Sequence, residues 1–279
     1  MAFDGITIAA MVRELHLNLD GGRFNKIAQP EADELLIDGE GGEWAVQAAA
    51  SASASLPLIY FTSKNKPSPM TAPNFCMLLR KHIGSARVSD IRQPGMERVV
   101  MFELEHLNEL GDPCKKVLIM ELMGKHSNII FCDDKGMILD SIKHVSSHMS
   151  SVREVLPGRE YFIPKTQDKL DPLTVSEEEF CDVVCRKPCN VSRAVYSSLT
   201  GISPVVAEEI CFRASIDGSD AAQSLDEAAR CICIIRSAAD GSGCGGGFFS
   251  EYCLSGGRTC GVWCVCVPAV WTGVSFCGV

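Results

Sequence analysis

One strongly basic stretch, between Lys64 and Arg98, lies in a chain whose formal net charge is −9. Seven basic residues occur there against two acids, Asp90 and Glu97. Guanidinium and ammonium groups bind phosphate oxygens, so the stretch predicts contact with an RNA or DNA backbone. A solvated helix face with charged strand edges is the open alternative. The basic residues are Lys64, Lys66, Arg80, Lys81, Arg87, Arg92 and Arg98.

Two acidic positions could take part in such a contact. The pair Glu97-Arg98 follows a Gly95-Met96 turn, and a carboxylate beside a guanidinium can bind a base or ribose edge together with a phosphate. Adjacent opposite charges also occur at ordinary hairpin corners, however. Asp4 fits the N-cap position of a helix. The pattern alone therefore assigns neither position to a function.

A possible phosphate-contacting hairpin lies between two predicted helices, in the run Leu-Thr-Gly-Ile-Ser-Pro at 199–204. Glycine allows a tight turn, and outward-facing backbone N–H groups of Gly201, Ile202 and Ser203 could hold one phosphate. A helix–hairpin–helix of this kind needs no side-chain charge, which suits an acidic protein. A plain αα-hairpin fits the same spacing.

The sequence offers no complete set of metal ligands and no common catalytic motif. Cys181, Cys185 and Cys189 recur every four residues and could line one helix face, but three thiolates do not complete a tetrahedral site and Pro188 interrupts the turn. We interpret them as buried thiols. No CxxC, HExxH, GxSxG or Walker loop occurs. The sequence predicts no metal, no cofactor and no catalytic residue.

The composition predicts a globular chain that stays in the cytoplasm. It is 46% hydrophobic and 22% charged over 279 residues, which excludes wholesale disorder, and its acidity excludes indiscriminate coating of nucleic acid. Residues 1–5 lack a basic start, and Asp4 interrupts the apolar run, so no signal peptide and no membrane association are expected. The seven cysteines before residue 231 are interpreted as reduced thiols.

The elements predicted to position these residues give an α+β fold, with few helices among many sequential strands. Apolar spacing predicts a first helix that ends at Gly21-Gly22, and Pro73 starts a second helix. Alternating runs between turn residues predict nine strands. These strands cover 23–28, 34–37, 44–47, 56–61, 87–91, 98–104, 116–123, 127–132 and 137–142.

Four regions follow from this pattern. Residues 1–154 form a β-rich lobe, 155–175 a proline- and glycine-containing linker with little structure, and 176–230 a helical module that is broken only at 201–204. Residues 231–279 contain eight of the fifteen cysteines and ten glycines but four charged side chains. We predict an irregular, disordered tail there, and hypothesise that the reading frame slips near Arg230.

Several sequence blocks resemble the N-terminal part of the NFACT family, also called fibronectin-binding protein A-like, which includes the bacterial ribosome quality-control tailing factors. The resemblance covers residues 1 to about 215. The blocks are Phe3-Asp4-Gly5-Ile6, Gly21-Gly22-Arg23, Lys26-Ile27, Gln29-Pro30, Phe75 to His82, Asn108 to Asp112, Met123 to Ile130, Asp140 to His144, Val155 to Gly158 and Gln167 to Leu170.

The resemblance implies a β-rich lobe related in shape to the formamidopyrimidine-glycosylase N-terminal fold, followed by a helix–hairpin–helix module. It also implies that the protein brings alanyl-tRNA to an obstructed large ribosomal subunit holding peptidyl-tRNA. There the ribosome itself extends the stalled chain, so the resemblance implies a positioning factor that is not an enzyme. The family's important acid falls on Asp4 and its Asp-Arg pair on Glu97 and Arg98. With the neighbouring Arg80 and Lys81, these residues are the expected tRNA-binding site.

The sequence differs from the family pattern at two places, and two alternative functions stay open. Glu97 is one methylene longer than the family's aspartate, and residues 231–279 stand where the family has a coiled-coil arm and an RNA-contacting domain, so we expect a truncated or frame-shifted member. The older family name implies a fibronectin-binding surface adhesin. The related fold implies a DNA-glycosylase-like repair protein. That chemistry needs an amine nucleophile at the mature N-terminus and an adjacent acid, and Met1-Ala2-Phe3 offers neither.

Overall fold

The computed structural model describes residues 3–41, 44–107, 111–164 and 168–225. The chain divides into two compact units, residues 1–167 and 168–279, so the boundary falls inside the segment predicted as a linker. Residues 231–279, where an irregular tail was predicted, lie outside the described residues.

Two α-helices, one short 3-10 helix (Gly124–His126) and nine strands build the described part of the first unit, and the α-helices and strands lie close to the positions that the sequence predicts. The mixed α+β class is therefore confirmed. The elements are α1 (Gly5–Leu19), β1 (Arg23–Glu31), β2 (Glu34–Gly41), β3 (Trp44–Ser51), β4 (Leu58–Phe61), α2 (Asn74–Ile83), β5 (Arg87–Arg92), β6 (Val99–Leu107), β7 (Pro113–Glu121), β8 (Asn128–Asp133) and β9 (Ile138–Ser141).

The strands form one antiparallel sheet in the order β4-β3-β2-β1-β5-β6-β7-β8-β9. It consists of two meanders, β1–β4 and β5–β9, which meet at the single register pair Arg23↔Arg87. Gly22 lies in the connection from α1 to β1, next to this seam. A Cβ on Gly22 would lie 1.9 Å from the Glu40 carbonyl oxygen, so only glycine lets the backbone approach β2 this closely.

The sheet folds over on itself so that one face of both meanders encloses a single core. Strands β3 and β9 are seven positions apart in the strand order, which would separate them by about 33 Å in a flat sheet. Instead Lys143, just after β9, donates from Nζ to the carbonyl of Ala52, just after β3. Buried side chains of both meanders share this core with Leu15 of α1 and Leu79 of α2.

Part of the opposite sheet face is covered by residues 145–163. Val145 and Val155 form an antiparallel bridge, and Val155 packs with residues of β6 to β9. The prediction of little structure from residue 155 is therefore wrong for this segment. Pro157 and Gly158 lie in a turn of this segment, and the Gly158 amide donates to the carbonyl of Ile138 at 2.8 Å.

A buried ion pair anchors that segment to the sheet. The side chain of Glu121, at the end of β7, is fully buried, and Arg153, whose side chain is 11% exposed, donates to its carboxylate. Tyr161 donates its hydroxyl to the same carboxylate at 3.0 Å, and Arg153 donates to the Phe162 carbonyl at 2.6 Å. Burial and the Glu121 charge raise the pKa of Tyr161. The cluster thus keeps its buried charges paired.

The second unit contains short helices. Helix α3 (Glu177–Phe180) follows a reciprocal cap, in which Ser176 Oγ accepts from the Glu179 amide at 3.2 Å and Glu179 accepts from the Ser176 amide at 3.1 Å. A π-helical turn (Cys181–Cys185) continues it. Helices α4 (Val191–Ser198) and α5 (Pro204–Arg213) come next, and a short 3-10 turn spans Ala222–Ser224.

The prediction that residues 176–230 are helical except at 201–204 is wrong at two places. Residues 186–190 form a turn because Pro188 lacks the amide that would continue the helix. Residues 214–221 leave the helical path after α5, where Ser215 adopts φ +57°. Residues 226–230 lie outside the described part. No helix among the described residues is long and apolar enough to cross a membrane.

Replacing Arg153 by methionine tests the buried ion pair. We expect Arg153→Met to lower the free energy of unfolding by about 3–5 kcal/mol, because Glu121 would keep a buried charge without its partner. Chemical denaturation measures the loss. The control is Arg159→Met, which breaks an ion pair with Glu154 at 2.7 Å whose arginine side chain is 60% exposed, and should cost about 1 kcal/mol or less. Equal losses in both variants would contradict the role given to burial.

Candidate nucleic-acid interface

Asp4 lies at the N-terminus of α1 and caps it. Its Oδ1 accepts from the Thr7 amide at 3.0 Å and from the Thr7 hydroxyl at 2.9 Å. The residue is 7% exposed. The interpretation of Asp4 as an N-cap is therefore confirmed, and any contact with a ligand would share the carboxylate with this cap.

Glu97 and Arg98 lie in the turn that precedes β6. The Glu97 amide donates to the Pro94 carbonyl at 3.1 Å, and the Arg98 carbonyl accepts from the Leu122 amide at 2.9 Å. Glu97 is half-buried and Arg98 is exposed. The Arg98 guanidinium forms no hydrogen bond or ion pair with another described residue, so its charge faces solvent.

Gln93 brings these two places together. Its side-chain amide donates to the carbonyl of Gly5 and to the carbonyl of Glu97, each at 2.9 Å. One amide group thus joins the first residue of α1, next to Asp4, to the turn that carries Glu97 and Arg98. Two backbone segments 88 residues apart in sequence are held side by side.

Arg80 and Lys81 lie in the last turn of α2, and both are exposed. Arg80 donates from Nε to the Ile27 carbonyl of β1 at 2.7 Å, which fixes its guanidinium beside the sheet while other N–H groups stay available. Cys76 of the same helix also contacts this carbonyl, at 3.6 Å. The two basic residues are therefore anchored through α2 on β1.

The predicted basic stretch does not act as one continuous surface. Lys66 pairs with Glu31 at 3.0 Å and with Glu34 at 2.6 Å, and these carboxylates raise its pKa. Arg92 pairs with Glu103 at 3.0 Å. At Lys66 and Arg92 the structure therefore favours the alternative of charged strand edges, because carboxylates of other segments already pair with both residues.

The hairpin between α4 and α5 has the predicted turn. Gly201 adopts φ +72°, which glycine tolerates without a Cβ clash, Ile202 is buried, and Ser203 caps α5 by accepting from the Val206 amide at 3.3 Å. Leu170 and Leu199 form a parallel bridge that holds the turn. The amides of Gly201 and Ile202 make no backbone hydrogen bond to any described residue. Their contact with a phosphate stays a prediction.

The cysteines of the described residues are free thiols. The interpretation of the Cys181, Cys185 and Cys189 set as buried thiols on one helix face is wrong in part: only Cys185 is buried, and Cys189 lies in the turn before α4. In the first unit, burial raises the pKa of Cys132 to about 12, helped by Asp133 and Glu121. No group of three or more His, Cys, Asp or Glu within the described ranges could hold a metal ion.

Sequence reasoning missed Gln93. The Pro94-Gly95 dipeptide predicts a turn after it, but nothing in the local sequence shows that a glutamine side chain bonds to a carbonyl 88 residues away. The pairing of Arg92 with Glu103 was equally hidden until the register of β5 and β6 was known.

Comparisons with known proteins agree on one family. The family model described as NFACT N-terminal and middle domains matches residues 4–231. The "Rqc2 homolog RqcH" of Bacillus subtilis (strain 168) is 35% identical over 217 residues, which are 77% of this chain and 38% of that protein. The chain therefore spans about two fifths of the length of this relative.

Solved structures give the same relationship. The N-terminal part of the fibronectin/fibrinogen-binding protein from Streptococcus suis is similar with a TM-score of 0.70 and 32% identity, over 76% of this chain and 79% of that one. The N-terminal domain of the fibronectin-binding protein PavA from Streptococcus pneumoniae gives a TM-score of 0.69 and 31% identity, over 75% and 78%.

The isosteric substitution Gln93→Glu tests the bridge between α1 and the Glu97-Arg98 turn. It replaces the donor amide by a carboxylate that faces two carbonyl oxygens, so we expect stability to fall by about 1–3 kcal/mol. We also expect faster amide hydrogen exchange at residues 95–98 and in the first turn of α1. The control is Gln223→Glu, which loses one exposed hydrogen bond to the Arg186 carbonyl in the second unit. Unchanged exchange at 95–98 in Gln93→Glu would contradict the bridge.

Proposed function

The chain belongs to the NFACT family, and on that premise we propose that it is a ribosome quality-control factor that binds tRNA and the obstructed large ribosomal subunit. The observation that carries the proposal is the Gln93 bridge. It holds the backbone next to Asp4 beside the turn of Glu97 and Arg98, and these three positions are the ones where the family resemblance expects functional residues. The relationship to the Rqc2 homolog RqcH supports the same function.

The proposal includes finer statements that follow from the resemblance. The tRNA is alanyl-tRNA, the subunit carries peptidyl-tRNA, and the stalled chain is extended by the ribosome, so the protein is a positioning factor and not an enzyme. It works in the cytoplasm, where the ribosomes are. The first unit would share the formamidopyrimidine-glycosylase type of fold, and the α4–α5 hairpin would be a helix–hairpin–helix that contacts one phosphate through Gly201, Ile202 and Ser203.

The chemistry of the site fits a polyanion bound by few contacts. Arg98 offers a solvent-facing guanidinium that can bind a phosphate through two parallel hydrogen bonds. Glu97 and Asp4 supply acceptors for hydroxyl or amino groups of a nucleotide. Arg80 and Lys81 add positive charge along α2, and no general acid, base or nucleophile is needed for binding.

Removing the Arg98 guanidinium tests the proposed site. We expect Arg98→Ala to weaken retention of tRNA on purified large subunits that carry peptidyl-tRNA by about tenfold, because charge-assisted hydrogen bonds to phosphate are lost. Co-sedimentation with labelled tRNA measures it. The control Arg159→Ala removes the same charge elsewhere in the unit and should leave retention unchanged. Equal retention by wild type and Arg98→Ala would refute the assignment of Arg98.

Two substitutions of Asp4 distinguish its role as a helix cap from a role of its negative charge in tRNA binding. Asp4→Asn keeps a good N-cap and should leave stability within a few tenths of a kcal/mol, whereas Asp4→Ala should cost about 1 kcal/mol. If the carboxylate contacts tRNA, both variants lose retention on the large subunit to a similar degree. Full retention by Asp4→Asn would restrict Asp4 to capping. Thermal unfolding and the co-sedimentation assay are read on the same samples.

A second candidate function is adhesion, because the solved neighbours are named as fibronectin- or fibrinogen-binding proteins. Binding to immobilised fibronectin at physiological salt, compared between wild type and Arg98→Ala, separates the two functions. Fibronectin binding without retention of tRNA on large subunits would favour adhesion over the quality-control function.

A further inference from the structure

Three segments of the first unit contain no acidic residue, although acids outnumber basic residues in the whole chain by 35 to 26. They are residues 52–57, 122–127 and 142–148. The last two segments carry two lysines and three histidines, which lie outside the basic stretch at 64–98. These residues are Lys125, His126, Lys143, His144 and His148. Their charges act together only if the fold joins the segments.

Hydrogen bonds join the three segments at one end of the second meander. Lys143 donates from Nζ to the carbonyl of Ser127 at 3.3 Å and to the carbonyl of Ala52. The Asn128 side chain holds the Lys143 backbone, since its Oδ1 accepts from the Lys143 amide at 3.1 Å and its Nδ2 donates to the Lys143 carbonyl at 2.9 Å. We call the joined segments 52–57, 122–127 and 142–148 the acid-free surface.

Two lysines of the acid-free surface form no ion pair. Lys125 is exposed in the 3-10 helix Gly124–His126, and its ammonium group has no hydrogen bond or ion pair with a described residue. Lys143 is partly exposed, and both of its partners are neutral carbonyls. Because an ammonium group has three N–H donors, one donor and the whole positive charge of Lys143 stay available to a ligand.

The acids at this end of the sheet have other neighbours. Glu121 is buried within the ion pair described above. Asp140 lies with its Oδ1 2.6 Å from Nε2 of His144. Glu97 lies in the turn that also carries Arg98. These three carboxylates therefore do not pair with either lysine of the acid-free surface.

The acid-free surface adjoins the turn of Arg98. The amide of Leu122, the first residue of segment 122–127, donates to the Arg98 carbonyl at 2.9 Å. Arg98 precedes β6, Lys125 follows β7 and Lys143 follows β9, so their backbone positions lie along one end of the sheet. Three strand intervals separate β6 from β9, a distance of about 14 Å. Positions this far apart suit separate phosphates of one strand better than a single anion.

We propose that the acid-free surface binds the phosphodiester backbone of the tRNA, where Lys125 and Lys143 each contact a phosphate and extend the site of Arg98. Lysine binds phosphate as a point charge and is depleted at protein–protein interfaces, so two lysines without ion pairs favour a nucleic acid over a protein partner. Phosphate contacts position a nucleic acid without reading its sequence. The inference rests on the proposed tRNA binding.

The test measures the affinity of the full chain for a tRNA transcript at several salt concentrations. We expect Lys125→Ala to bind about fivefold more weakly and to reduce the slope of log affinity against log salt by about 1, because one phosphate contact is lost. The matched control is Lys135→Ala, which removes an exposed lysine from the β8–β9 turn at the opposite end of the same strands. It should change neither quantity.

Lys143→Met tests the second contact. This variant also loses the bonds to the Ser127 and Ala52 carbonyls, so its stability is measured in parallel by chemical denaturation. We expect a slope smaller by about 1, and smaller by about 2 in Lys125→Ala/Lys143→Met. A purely structural role would change the stability and leave the slope as in wild type, and that result overturns the contact assigned to Lys143.

Failure of this inference is distinguishable from failure of the proposed function. If Lys125→Ala/Lys143→Met binds tRNA as wild type does while Arg98→Ala binds more weakly, the acid-free surface is overturned and the tRNA site of Arg98 stands. A loss of affinity with an unchanged salt slope in both lysine variants overturns the phosphate contacts. If wild type binds no tRNA, the inference and the proposed function are both overturned.

Discussion

The fold depends on closure of one long sheet around a single core. Nine antiparallel strands have two faces, and a flat sheet would leave one of them in water, at a cost of about 25 cal/mol for each Å² of apolar surface. Folding the two meanders towards each other, with α1 and α2 between them, buries that face. The bond from Lys143 to the Ala52 carbonyl connects the segment after β9 with the segment after β3 across the closed sheet. Residues 145–163, pinned by Glu121 and Arg153, then cover part of the other face.

The carboxylates around each basic residue determine where an acidic chain can bind a polyanion. At physiological salt the Debye length is about 8 Å, so acids further from a bound phosphate than that are largely screened. A net charge of −9 is then compatible with binding, provided that carboxylates do not occupy the local cations. Lys66 and Arg92 fail that condition because Glu34 and Glu103 hold them. Arg98 fulfils it, since no acid of the described residues pairs with it.

The sequence predicts well what depends on neighbouring residues. Strand runs between turn residues, the helix after Pro73 and the cap at Asp4 are local patterns, and the structure has all of them. The sequence predicts poorly the contacts between residues that are far apart in the chain. Gln93 bonds to Gly5, Glu121 is neutralised by Arg153, and the helical module breaks at residues that pack against each other, as Gly218 does against Ser192. Such contacts exist only once the sheet register and the helix packing are set.

Backbone hydrogen bonds and buried side chains together hold the seam between the meanders, although two like charges lie opposite each other there. Four backbone hydrogen bonds of 2.8–3.1 Å connect residues 21–24 to residues 85–88, and Phe24 and Val88 bury their side chains in the core below. A cross-strand side-chain pair contributes roughly 1 kcal/mol or less, so repulsion between Arg23 and Arg87 cannot open a seam held in this way. On the exposed face, Arg23 and Arg87 add bonds to the carbonyls of Ser85 and Gly21 across the same seam.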